Sequence, residues 1–346
     1  MDRIMKEVNR TMIILARESR GWAQKELGER MGMSAANLSK IERGEIGIND
    51  KIVEAISIAT DYPIQFFYQN GGIVSENLAY RKRRIVPQKF ITSVDAMGNV
   101  LRQQVQFLTR ILNTGKAELP QWEVSEALSP QKIAAKLRSK WEADNIRETI
   151  LLRLVEQHGI PVMAFDFETD RIDSFSMLTD DAYPIIFINK RLLGDRRRFT
   201  IAYELGQLVM HTNKAIAPER DIKDEANLFA AELLMPEKEI RKDFEVSITV
   251  PVLAMLKKKW KVSMIALLYR ADDLGYLSAN QKKYLLEQFN RLGIRKREPQ
   301  EYDLPIEQPH LVKKWISQYR QKTKLSLTET AATLCMNVDE YLERYG

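Results

Sequence analysis

The run Arg198-Phe199-Thr200-Ile201-Ala202-Tyr203-Glu204-Leu205-Gly206-Gln207-Leu208-Val209-Met210-His211 constrains this chain more than any other stretch. Asp195 opens it as a helix, and residues four apart on a helix share a face. Tyr203 and Gln207 are such a pair, with Glu204 beside the first. At this spacing two histidines grip a metal while the intervening acid activates water. Here the frame is kept, but neither position holds an imidazole. A second helix opens at Asp221 and ends at Met235-Pro236. Upstream, the apolar runs 160–165 and 185–188 are bounded by turn residues and predict strands, and 173–176 predicts another between them.

Four segments carry a resemblance in their order along the chain. They are His158-Gly159-Ile160-Pro161-Val162, Pro184-Ile185-Ile186-Phe187-Ile188-Asn189, the Tyr203 helix, and Asp224-Glu225-Ala226-Asn227 through Met235-Pro236. They strongly resemble the ImmA/IrrE-like metallopeptidase domains, with matching motifs over roughly 145–300. The resemblance implies a zincin-like α+β fold whose third metal ligand is an acid on the following helix. Glu225 is the best match, with Asp224 and Glu232 next. A catalytic zinc needs three protein ligands and an open position for water. A phenol with a pKa of about 10 and a neutral amide oxygen are poor replacements for two imidazoles. Tyr203, Glu204, Gln207 and Glu225 are therefore expected to form a degenerate motif with no metal, no cofactor and no catalysis. Tyr203 and Gln207 would plug the cleft by hydrogen bonding. His211, one turn beyond Gln207, is expected to cap or pack rather than ligate.

Residues 1–70 read as a small bundle of five helices. Ile4, Val8, Met12 and Leu15 recur at helical spacing, and Gly21 breaks that helix. Residues 24–31 form a second helix and Gly32-Met33-Ser34 a turn. Residues 35–44 form a third, with Ser34 as its N-cap and Gly44 as its stop. Asn49 caps a fourth, with Ile52, Ala55, Ile56 and Ala59 facing inward, and Pro63 opens a last turn with Phe66 and Phe67. Gln24, Leu27, Ser34, Leu38, Ser39, Glu42 and Gly44 closely resemble the lambda-repressor/Cro-like (XRE) helix-turn-helix pattern. Side chains at the start of such a third helix reach base edges in the major groove of double-stranded DNA. By position these are Ala35, Ala36, Asn37 and Lys40, while Gln24, Ser34 and Arg43 suit phosphate contacts. Leu27, Leu38 and Ile41 read as core, and Glu42 as an internal partner.

Gly71-Gly72 marks a boundary. The basic run Arg81-Lys82-Arg83-Arg84 reads equally as a phosphate-touching arm or a solvated linker. From Ile85 to Leu112, Phe90, Val94, Met97, Leu101, Val105, Leu108 and Leu112 form the seam of a long amphipathic helix. That seam can pair with its copy in a homodimer or fold back on its own chain. The expected division is 1–70, a linker and dimerisation helix at 71–130, the peptidase-like domain at 131–298, and a helical extension at 299–346. Within 131–298, Ile133, Leu137, Trp141, Ile146, Ile150, Leu151 and Leu154 suggest two helices, and 246–290 returns to helix. The lysines at 257–259 read as a solvated helix face. Residues 325–340 have helix-turn-helix spacing but no useful reading helix, and are expected to cap the domain.

Composition sets outer limits. The chain has 346 residues, 45% of them hydrophobic, enough for two or three cores. One cysteine and three histidines leave almost no material for disulfides or a Cys/His zinc cluster. They suit a reducing cytosol, and the N-terminus shows no signal-peptide core, so a cytoplasmic location is expected. A net charge of +6 permits nucleic-acid binding without demanding it. The expected function is a DNA-binding transcription regulator, a repressor, with an inactive ImmA/IrrE-like domain that senses a signal or holds a protein partner. Two rivals are an active zinc peptidase that cleaves a repressor and an antitoxin whose peptidase-like domain binds a toxin.

Overall fold

A computed structural model describes residues 7–73, 80–82, 85–212, 217 and 219–346. Ile4, Arg83 and Arg84 lie outside the described residues. The fold is mostly helical, with one small sheet.

The first helix, α1 (Arg10–Ser19), starts later than the periodicity predicts. Asn9 caps it by accepting from the Thr11 amide. Then come α2 (Gln24–Arg30), α3 (Ala35–Arg43), α4 (Asp50–Thr60) and a 3-10 turn, Ile64–Tyr68. Val53, Ile56 and Thr60 are the buried residues of α4, and Ile52, Ala55 and Ala59 are only half-buried. Met12, Ile13, Leu15, Ile41, Val53, Ile56, Phe66 and Phe67 make this bundle's core.

Next come a two-residue strand, β1 (Arg81–Lys82), and the long α5 (Gln88–Leu112). The seam of α5 folds back on its own chain. None of residues 94–109 is exposed. One side, with Val94, Leu101, Val105 and Leu108, joins the core below the sheet. The other side, with Ala96 and Val100, joins the core of the N-terminal bundle. Gly98 permits this approach, because a Cβ there would lie 2.8 Å from the Phe175 ring. Arg102 is fully buried and donates to Asp180 at 2.6 Å. The middle of this helix is therefore covered by its own chain.

The sheet follows α6 (Pro130–Lys140) and α7 (Leu151–Gln157), with Ile146 in the turn between them. Its strands are β2 (Val162–Phe165), β3 (Ile172–Leu178) and β4 (Pro184–Asn189). The order is β1-β3-β4-β2, with β2 parallel to β4 and the other pairs antiparallel. Both faces are covered. Val162, Ile186 and Ile188 face the helices that follow. Met163, Phe165, Ile185 and Phe187 face α5 and the C-terminal helices. Coverage on both faces is why β2 and β4 read as unbroken apolar runs.

On the first face lies α8 (Gly194–Met210), against which α9 (Ile222–Leu234) packs, followed by α10 (Glu237–Phe244), α11 (Val250–Trp260), α12 (Met264–Asp273) and α13 (Ala279–Arg291). Lys257 departs from the expected solvated face. It is buried, pairing with Asp195 and, at 2.6 Å, with Glu298, while Lys258 and Lys259 are exposed. An ammonium is buried only where carboxylates compensate it, and run composition cannot reveal such partners.

After a short 3-10 turn, Gln300–Tyr302, the C-terminal helices are α14 (Leu311–Thr323), α15 (Leu327–Thr333) and α16 (Val338–Tyr345). They do act as a cap, through Val312, Trp315, Ile316, Leu334 and Met336 against α5 and the sheet. They also reach the N-terminal bundle, where Arg20 pairs with Glu340 at 3.2 Å and Asn337 donates to Asp61 at 2.6 Å. No helix among the described residues is long and apolar enough to cross a membrane.

Candidate functional site

In the N-terminal bundle, α2 and α3 meet across the turn at Gly32, whose φ is +65°. The Ser34 hydroxyl accepts from the Asn37 amide at 3.2 Å and so caps α3, and Gly44 ends it in the left-handed conformation. Leu27, Leu38 and Ile41 are buried. The first turns of α3 look outward: Ala36, Asn37, Lys40 and Arg43 are exposed and Ala35 is half-exposed. Arg43 donates to Glu45 at 2.6 Å and to Ser39 at 2.7 Å on the surface. The Gln24 amide donates to Glu42 at 2.6 Å. Glu42 also accepts from Arg17 at 2.7 and 3.2 Å. This buried carboxylate ties α1, α2 and α3 together, the internal role expected of it.

The second site lies where α8 crosses β3. Gly206 lets α9 approach α8 closely, since a Cβ there would lie 2.8 Å from the Phe229 ring. Tyr203, Glu204, Gln207 and His211 are all buried. Gln207 Nε2 donates to Tyr203 Oη at 3.1 Å and to the Ile222 carbonyl at 3.3 Å. A carbonyl only accepts, so Ile222 fixes which way the amide points. Gln207 Oε1 then faces His211 Nδ1 at 2.8 Å. His211 Nε2 lies 2.7 Å from Glu225 Oε2, and Arg220 donates to both Glu225 oxygens at 2.8 and 2.6 Å. Both ring nitrogens of His211 face acceptors, which suits an imidazole that donates from each. His211, read from sequence as a cap or packing residue, is the C-cap of α8 and also the link between Gln207 and Glu225.

Glu204 points the other way, toward the sheet. The Ser174 hydroxyl donates to its Oε1 at 2.5 Å. Burial pushes the Glu204 carboxyl up to about 7, although the Ser174 and Ser176 hydroxyls and Arg81 hold it down in part. Burial, aided by the Glu204 charge, pushes the Tyr203 phenol up to about 12. Glu225 shows the opposite balance. Burial raises it, but the Arg220 and His211 bonds more than offset this and leave it below the ordinary value.

These side chains do not suit a zinc ion. Tyr203 keeps its proton at neutral pH, Gln207 spends its carbonyl on His211, and Glu225 is held by a cation and an imidazole. Among the described residues no three His, Cys, Asp or Glu side chains are grouped as a metal site requires. Asp224 and Glu232 do not join the cleft. Asp224 is exposed, and Glu232 pairs with Arg270.

Sequence reading missed Arg81. Instead of an arm or a solvated linker, it forms β1 and turns into the cleft. Its guanidinium lies 4.6 Å from the Tyr203 ring centroid and 5.0 Å from that of Phe199. Its Nε is 3.8 Å from Asp173 Oδ2. Asp173 is itself buried and held by Arg196 at 3.2 and 2.5 Å. A two-residue strand inside a basic run carries no periodic signal, so this was not legible.

Residues 13–67 match the family model for a helix-turn-helix, and residues 155–272 match that of the IrrE N-terminal-like domain. No curated protein matches the chain. The motifs and both matches agree: the chain joins an XRE-type helix-turn-helix domain to an IrrE/ImmA-like domain of the metallopeptidase type.

Proposed function

We propose that this chain is a sequence-specific DNA-binding transcription regulator, a repressor, whose IrrE/ImmA-like domain has lost peptidase activity and serves as a protein-binding module. The observation that carries this reading is that one working surface is kept open while the other is closed. The start of α3 presents Ala36, Asn37 and Lys40 to solvent, whereas the ligand positions Tyr203 and Gln207 are buried and bonded to each other. Asn37 suits a base edge, Ala35 and Ala36 suit thymine methyls, and Lys40 suits a base or phosphate. Ser34 and Arg43 suit phosphate contacts. Reading two half-sites requires a dimer, built on a surface other than the covered middle of α5.

The test is a footprint of the full chain on the DNA upstream of its own gene, combined with elemental analysis. The expected result is protection of a palindromic site with half-sites about 10 base pairs apart or a multiple of that. Asn37→Ala should cost about 1–3 kcal/mol on that site and little on unrelated DNA. Zinc should be well below one equivalent. Equal affinity for all DNA overturns the regulator, and stoichiometric zinc whose chelation lowers the melting temperature overturns the inactive domain. Tight capture of a neighbouring toxin without operator binding would favour the antitoxin reading.

A further inference from the structure

The cleft that Tyr203 closes is not empty of chain. We propose that the groove between β3 and α8 is a socket for an extended, arginine-bearing strand, held in cis by Tyr80–Lys82, and that a protein partner offering such a strand competes for it. This rests on the reading of the cleft as a binding module.

The socket has the chemistry a guanidinium seeks. Arg81 pairs antiparallel with β3 opposite Ser174, and Lys82 lies opposite Ile172 after a register shift. The alternation of a strand then sends neighbouring side chains to opposite faces. Tyr80 packs against the Phe175 ring, 5.4 Å between centroids. Arg81 goes to the α8 side, between the faces of Tyr203 and Phe199, with Asp173 at one end and the Phe199 carbonyl 3.5 Å away. A planar cation stacks on aromatic faces and bonds carboxylate and carbonyl at its edge, which an ammonium cannot match. Tyr203 supplies one of the two ring faces. The residue that replaces a metal ligand thus builds the socket.

Among the described residues the cis occupant pairs two residues with a strand of seven. Burial, and then the neighbouring charge of Arg196, pull the Arg81 guanidinium below its ordinary value despite Asp173. A longer strand in trans gains extra ladder bonds, as in other strand-addition complexes. It must overcome the cis strand's effective concentration, which short tethers set near the millimolar range.

The experiment uses the full chain and a fluorescent peptide copying residues 77–86. Binding is read by anisotropy. Wild type should bind weakly because its socket is filled, and Arg81→Ala should bind at least about tenfold tighter. A peptide with alanine at the Arg81 position keeps the other basic residues, so it controls for unspecific charge attraction. It should lose that gain on Arg81→Ala, and Asp173→Asn added to Arg81→Ala should lose it too. If Arg81→Ala does not fold by circular dichroism, Arg81→Lys serves instead, with affinity between wild type and a vacant socket. Equal binding by wild type and the Arg81 variant, or by both peptides, overturns the socket. That outcome leaves the regulator standing, whereas stoichiometric zinc overturns the inactive domain whatever the peptide does.

Discussion

Glu204→Gln isolates one buried charge and should change stability in a pH-dependent way. Glu204 is fully buried and its carboxyl is pushed from an ordinary value of 4.5 to about 7, mainly by burial. In the unfolded chain this carboxyl loses its proton near pH 4.5; in the folded protein it keeps the proton to about pH 7. Between these values the unfolded state binds fewer protons, so stability falls as pH rises across the window and levels off above it. The full difference amounts to about 3 kcal/mol. Glutamine has the same shape, can still accept from Ser174, and does not titrate. Glu204→Gln should therefore match wild type near pH 5 and exceed it by up to about 3 kcal/mol at pH 8, a rise of several degrees in melting temperature. Thermal melts at pH 5, 6, 7 and 8 provide the measurement. Asp95, raised to about 7, and Glu156, raised to about 6, titrate in both proteins and cancel in the comparison. A difference that is constant with pH, or a variant less stable than wild type at pH 8, would refute the argument.

Three further outcomes follow from the packing. Gly98→Ala places a methyl 2.8 Å from the Phe175 ring; denaturant melts should show a loss of about 1–3 kcal/mol, and no loss would mean α5 sits farther from the sheet. Glu42→Ala removes two hydrogen bonds from the buried Arg17 guanidinium and leaves it paired with Glu18 at 3.2 Å; it should cost the N-terminal bundle about 1–3 kcal/mol, visible as early loss of DNA binding on heating. Tyr203→His with Gln207→His rebuilds the two imidazoles, but Glu225 is clamped by Arg220. Zinc titration should therefore show affinity improving about tenfold when Arg220→Ala is added; an unchanged affinity would show that Glu225 is not the third ligand.

Some of this was legible because the physics is local. A cap such as Ser34 bonds an amide three residues away, and Gly44 ends a helix by its own φ. The same holds for the four-residue spacing of Tyr203 and Gln207 on α8 and for the apolar runs of β2 and β4. The identity of Tyr203 and Gln207 was enough to doubt a metal site, because donor chemistry belongs to the side chain itself. The sequence also showed that the seam of α5 must be buried.

What covers that seam was decided only when the chain closed on itself. Sheet and bundle take opposite sides of α5, a choice over which amphipathicity is silent. Gln24 found Glu42, Lys257 found Asp195 and Glu298, and Glu225 found Arg220 and His211. Arg81 reached the Phe199 carbonyl, 118 residues away. A charged side chain reads the same whether it ends in water or against a carboxylate. Its partner is set by which elements pack together, and that packing is driven by the burial of apolar surface, which does not specify the polar contacts made at its margins.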